Sequence, residues 1–135
     1  MALTQAEQQF LSTQRRGRLA TISPGGSPQV KPVGFAYNED FGTIDIAGYN
    51  MGGSAKYRNI RTNPQVAFVV DEVRFEGIDG VSFVEIRGRA EAVSGQAPAD
   101  SQLAPEIIRI HPRRVLAFNI DPRHPGLQAR DVATP

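Results

Sequence analysis

Only two of the 15 basic residues in this sequence are lysines, and both stand where an anion would be useful. Lys56 closes the segment Gly48-Tyr49-Asn50-Met51-Gly52-Gly53-Ser54-Ala55-Lys56. Ser54 is a good N-cap type, which sets Lys56 and Arg58 near the first turn of a helix, where the dipole disfavours positive charge. A bound anion reverses that penalty, because a helix start offers free backbone N–H groups and a lysine adds a point charge. The segment is not a P-loop, which requires lysine directly after its second glycine. The alternative is that Lys56, Arg58 and Arg61 simply point into water.

Lys31 sits in Gln29-Val30-Lys31-Pro32-Val33. Pro32 removes one hydrogen bond from any strand it joins, so the segment reads as an edge, a bulge, or a backbone that serves a ligand.

Other chemistries find little support. The sequence has no cysteine, hence no disulfide, thiol nucleophile or Cys-ligated metal. The two histidines, His111 and His124, lack the partners of a hydrolase triad or a metal triad and read as ordinary turn or surface residues. No metal site and no catalytic side chain can be named. The 15 basic and 14 acidic residues nearly cancel. Arg15, Arg16 and Arg18, with Arg113 and Arg114, form short basic clusters without aromatic platforms, which speaks against nucleic acid as a partner. Apolar runs such as Val66 to Val70 are too short for a membrane span, and the expectation is a cytoplasmic protein.

The elements that must position these residues follow from periodicity. The 135 residues suggest one domain, residues 1–135. Thr4 and Glu7 have capping-box spacing, and a first helix ends before Gly17. Period-two segments predict strands over Leu19 to Ser23, Gln29 to Tyr37 and Thr43 to Ala47, the first two joined by the turn Pro24-Gly25-Gly26-Ser27-Pro28. A second helix runs from Ser54 to the Asn63-Pro64 stop. Gln65 to Val70 is apolar on both faces, as if covered by a second sheet or subunit. Val84 to Ala92 alternates, and Ser94 to Pro105 reads as a loop or a poorly formed helix. Glu106 to Ile110 and Arg114 to Ile120 read as two strands broken at His111-Pro112. The tail from Asp121 is expected to order by docking on a neighbour. The pattern predicts a mainly β (α+β) chain, either a closed or split antiparallel barrel or an open sandwich.

Three segments together carry a resemblance: Gly17-Arg18-Leu19-Ala20-Thr21-Ile22-Ser23, Gly26-Ser27-Pro28-Gln29-Val30-Lys31-Pro32-Val33-Gly34-Phe35, and Ser54-Ala55-Lys56-Tyr57-Arg58-Asn59-Ile60-Arg61-Thr62-Asn63-Pro64. Over nearly its whole length the chain resembles the pyridoxamine 5′-phosphate oxidase-like split β-barrel family. Within it, the chain is similar to the small actinobacterial oxidoreductases that depend on the deazaflavin coenzyme F420, and the tail Ala129-Arg130-Asp131-Val132 is similar too.

The resemblance implies a six- to seven-stranded antiparallel split β-barrel with two or three short helices. It implies a homodimer with the cofactor in a groove at the interface. Ser54 and Lys56 would bind phosphate, with Asn50, Met51 and Tyr57 nearby. Gln29, Val30, Lys31, Pro32 and Val33 would lie along the ring system and its chain. The implied activity is hydride transfer between coenzyme F420 and a small organic substrate. An FMN-dependent flavin reductase or oxidase of the same fold is the first alternative, and a non-catalytic flavin or deazaflavin binder the second. FMN-binding relatives commonly carry arginine just before the phosphate lysine, where this chain has Ala55. The absence of tryptophan and the unlike C-terminal tail set it apart from enzymes that oxidise vitamin B6.

Overall fold

The computed structural model describes residues 2–95 and 102–133. Its first helix, α1 (Gln5–Ser12), is closed by a complete capping box: the Thr4 side chain accepts from the Glu7 N–H, and the Glu7 carboxylate accepts from the Thr4 N–H. Leu3 and Leu11 are buried beside it.

Eight strands follow in one antiparallel sheet: β1 (Arg16–Ile22), β2 (Pro28–Gly34), β3 (Ala36–Asn38), β4 (Thr43–Ile46), β5 (Gln65–Val73), β6 (Val81–Val93), β7 (Ile107–Phe118) and β8 (Leu127–Asp131). Helix α2 (Ala55–Thr62) lies between β4 and β5, preceded by a 3-10 turn at Met51–Gly53. The spatial order is β2-β1-β5-β6-β7-β4-β3, with β8 also paired to β7. Only Phe35 separates β2 from β3, yet these strands stand at opposite ends of that path. The sheet therefore curls until its ends meet without hydrogen bonding, which is a split barrel. Phe35 sits at the seam and packs edge-on against Phe68, with ring centroids 5.1 Å apart.

The barrel interior is filled by Leu19, Ile44, Ile46, Phe68, Val84, Ile86, Ile108 and Ile110, each almost completely buried. Gly17, expected only to end a helix, has a second reason: a Cβ there would stand 2.3 Å from the Phe68 ring.

Four expectations are corrected. The run Gln29 to Tyr37 is two strands, because Phe35 turns inward and the chain changes neighbours from β1 to β4. The segment around His111-Pro112 is one continuous strand: Pro112 falls opposite Gly88 and Arg113 is the extra residue of a β-bulge. Bulges are where a strand admits proline. A Cβ on Gly88 would meet the His111 carbonyl oxygen at 2.3 Å. The tail is ordered by its own chain, as β8 against β7. With the seam and β8 counted, the described residues form eight strands instead of six or seven.

Two further expectations meet the structure only in part. In β5, Val66, Phe68 and Val70 are buried while Ala67 and Val69 are half-buried, so one chain covers one face fully and the other incompletely. Of the segment expected as a loop or poor helix, residues 96–101 lie outside the described residues, and Ser94, Gly95 and residues 102–105 are not helical.

Arg130 on β8 clasps α1. Its guanidinium forks onto the Glu7 carboxylate at 2.7 Å through both nitrogens and also donates to the Ala2 carbonyl at 2.8 Å. Burial alone would raise the Glu7 pKa, but Arg130 and Thr4 outweigh it and hold the carboxyl below its usual value. A second fork, Arg109 to Asp45, ties β7 to β4 at 3.0 and 3.1 Å.

Candidate functional site

Ser54 begins α2 as its N-cap: the Oγ accepts from the Tyr57 N–H at 3.3 Å and donates to the Met51 carbonyl at 2.6 Å. The hydroxyl proton is thereby engaged, and what the helix start offers outward is backbone. The N–H groups of Ala55 and Lys56 have no acceptor within the helix, as in any first turn. No acidic residue occupies that turn. Lys56 is half-buried beside them.

The β1–β2 register brings Lys31 to the same place. Leu19 pairs with Lys31 and Thr21 with Gln29, so Gln29 and Lys31 share the face of the buried Leu19 and Thr21. Helix α2 packs on that face: Asn59 Nδ2 donates to Thr21 Oγ1 at 3.0 Å and to Gln29 Oε1 at 2.9 Å. Burial, and then the Lys31 charge, holds the Lys56 ammonium below the usual lysine range. Among the described residues neither lysine has a carboxylate within 4.0 Å. Two cations thus lie close enough for one to act on the other, with no carboxylate in ion-pair range of either among the described residues.

The remaining expected residues divide between this space and elsewhere. Asn50 is exposed, and its side-chain amide lies over Gly53, within about 3 Å of where a Cβ would stand. Val30 and Pro32 pair with Ala20 and Arg18, so their side chains lie on the opposite face of the sheet from Lys31. Val33, Met51 and Tyr57 are buried in the core, at 4%, 0% and 8% exposure. Their side chains therefore offer little surface to a ligand. β2 is an edge strand paired only with β1, which accommodates Pro32.

Of the three cations that the alternative reading put in water, Arg58 and Arg61 are exposed and Lys56 is half-buried, and Arg58 folds back and donates to the Gly53 carbonyl at 2.7 Å. Arg61 is exposed in the last turn, where the dipole favours it. Sequence reasoning missed Thr21 and Asn59. The available signal was a polar, poor helix former in the middle of α2, at a position the fold buries.

His111 contacts Glu91 at 2.9 Å, and His124 contacts Asp121 at 3.3 Å. Among the described residues no three His, Cys, Asp or Glu side chains are grouped to hold a metal ion. No helix among them is long and apolar enough to cross a membrane.

Comparison with known proteins places this geometry in context. The chain is 42% identical over 134 residues to a 5a,11a-dehydrotetracycline/5a,11a-dehydrooxytetracycline reductase of Streptomyces rimosus, covering 98% of this chain and 94% of the relative. In fold it is similar to a conserved hypothetical protein from Mycobacterium tuberculosis, with TM-score 0.69, 23% identity, and coverage of 85% and 84% of the two chains. It is also similar to a structure described as an F420 reductase, with TM-score 0.65, 24% identity, and coverage of 84% and 98%. A family profile described as pyridoxamine 5′-phosphate oxidase matches residues 3–125, nearly the whole of this split barrel: this chain belongs to the pyridoxamine 5′-phosphate oxidase family.

Proposed function

We propose that this oxidoreductase is a reductase dependent on the deazaflavin coenzyme F420, acting as a homodimer on a small organic substrate, with residues 1–135 as one cofactor-binding domain. The observation that carries the reading is the pair Lys31 and Lys56, close enough that the one charge acts on the other beside the start of α2, where no acidic residue occupies the first turn. Such a cradle is electrostatically unfavourable when empty and becomes favourable when a phosphate enters.

The residues present fit a phosphate-bearing flavin-type coenzyme. Lys56 and the first N–H groups of α2 would hold the phosphate, Lys31 would neutralise its remaining charge, and the free edge of β2 would lie along the rest. When bound, the reduced deazaflavin supplies a hydride from its C5 to an electron-poor double bond or imine. The protein's part is to bind and orient, which requires no nucleophile-and-base triad.

Two observations favour a deazaflavin over FMN: a structural neighbour is described as an F420 reductase, and Ala55 brings no guanidinium beside Lys56. The 42% identical relative is named a reductase, which fits reduction with either cofactor. The dimer is supported by the outer face of the sheet. There Ala20, Ile22 and Ala67 line an open groove of about 560 Å³ that ends at Arg87, Arg89 and Arg113. An incompletely covered apolar strip of this kind suits a second copy of the chain.

The test is a side-by-side fluorescence titration with coenzyme F420 and FMN. Selective deazaflavin binding followed by turnover of an unsaturated acceptor is the expected result. Preference for FMN would replace the reading with an FMN-dependent reductase or oxidase, and tight deazaflavin binding without turnover of any acceptor would replace it with a storage protein.

A further inference from the structure

Gln29 is an amide on the lip of the cradle, and an amide can present either a donor or an acceptor to whatever lies there. Its neighbours decide which. Asn59 is 4% exposed, and both hydrogens of its Nδ2 are used, one on Thr21 Oγ1 and one on Gln29 Oε1. Thr21 is 2% exposed and directly opposite Gln29 in the β1–β2 register, so all three polar groups are held in one short network. With its oxygen turned back to Asn59, Gln29 presents its Nε2 outward, on the face it shares with Lys31.

We infer that Asn59 is a positioning residue that fixes the polarity of Gln29 in the cofactor site, by locking its amide so that the donor and not the oxygen faces the ligand. Gln29 Nε2 then adds a donor to those of Lys31 Nζ, Lys56 Nζ and the first N–H groups of α2, beside the exposed Asn50 amide. Such a lining selects the part of a ligand that carries carbonyl or phosphoryl oxygens and rejects one that must donate. A reversed Gln29 would set its oxygen against those same oxygens. Swapping Asn59 for an apolar residue frees Gln29 to take either orientation. The inference rests on the cofactor site proposed above, yet the amide lock itself exists without any ligand.

The ligand-free protein therefore gives the first test. Through-hydrogen-bond NMR couplings should run from Asn59 Nδ2 to the Gln29 side-chain carbonyl; a coupling from Gln29 Nε2 to the Asn59 carbonyl would overturn the inference. The second test is a double-substitution cycle read as coenzyme F420 affinity. Gln29→Ala should weaken binding about 10-fold, Asn59→Ala about 5-fold, and the double variant about 10-fold, because Asn59 acts only through Gln29. Thr21→Val should lower the melting temperature while leaving affinity within 2-fold, since the bond from Asn59 to Gln29 survives. An Asn59→Ala loss that persists undiminished in the Gln29→Ala background, or an equal loss in Thr21→Val, would assign Asn59 a packing role only. Failure of the unaltered protein to bind the deazaflavin would instead overturn the cofactor reading, with the amide lock still judged by the NMR couplings.

Discussion

Replacing Lys56 with alanine separates a binding lysine from a structural one, because the two roles predict opposite signs. In the ligand-free protein Lys56 is half-buried, makes no ion pair and faces Lys31, so its charge opposes folding at neutral pH. Because its folded pKa is depressed, the unfolded chain binds more protons between that value and the ordinary lysine value of 10.5. Folding therefore gains as pH rises through that interval. Lys56→Ala removes this penalty, and the ligand-free melting temperature should stay level or rise. Binding should move the other way. A charge-assisted hydrogen bond to phosphate contributes roughly 1.5–3 kcal/mol, so the dissociation constant for coenzyme F420 should rise roughly 10- to 150-fold. Affinity in the unaltered protein should fall as pH climbs through the lowered lysine pKa, since the ammonium that meets the phosphate is lost. Differential scanning fluorimetry with and without coenzyme, beside a fluorescence titration, reads both signs in one set of samples. An unchanged dissociation constant, or a ligand-free protein that melts several degrees lower, would refute the argument.

Other perturbations follow from the same geometry. Glu7→Gln leaves the Arg130 guanidinium without its counter-charge. It should cost roughly 2–3 kcal/mol, less than a wholly buried pair because Arg130 reaches solvent, and lower the melting temperature by on the order of 10 °C. The Glu7 pKa is lowered in the folded state, so its stabilisation is present above its ordinary value of 4.5 and is lost as pH falls through the folded value. Denaturation curves between pH 7 and 3 should therefore fall less steeply in Glu7→Gln than in the unaltered protein. Gly88→Val should lower stability by about 1–3 kcal/mol or more in a urea melt, since its Cβ meets a backbone carbonyl that only a shift of the bulge can move.

Local chemistry was readable wherever a few adjacent residues decide it. The Thr4–Glu7 box, the Ser54 cap, the Asn63-Pro64 stop and the turn before Pro28 all depend on residues within four positions of one another. What depended on distant partners was not readable. Nothing near Phe35 announces that the chain leaves one sheet neighbour for another there. Nothing around Pro112 reveals that Gly88, 24 positions earlier, makes room for it. The site shows the same division. Lys31 and Lys56 were recognisable as a pair of rare residues, but alternation along β2 moves Val30 and Pro32 to the far face, and packing takes Met51 and Tyr57 into the core. Asn59 was overlooked because its importance lies in two acceptors on other strands.

The clasp between Arg130 and α1 also bears on the order in which the molecule comes together. It spans 123 residues to Glu7 and 128 to Ala2. Closing so long a loop adds only a modest entropy over closing a short one, but the guanidinium is aimed correctly only after β8 has found β7. During synthesis α1 emerges 123 residues before its arginine, so the helix waits until β8 has been made before it is pinned. A contact that forms after the rate-limiting step of folding acts mainly by slowing the reverse reaction. The Arg130 clasp is thus chiefly a brake on unfolding, and it sets how long the finished barrel lasts more than how quickly it forms.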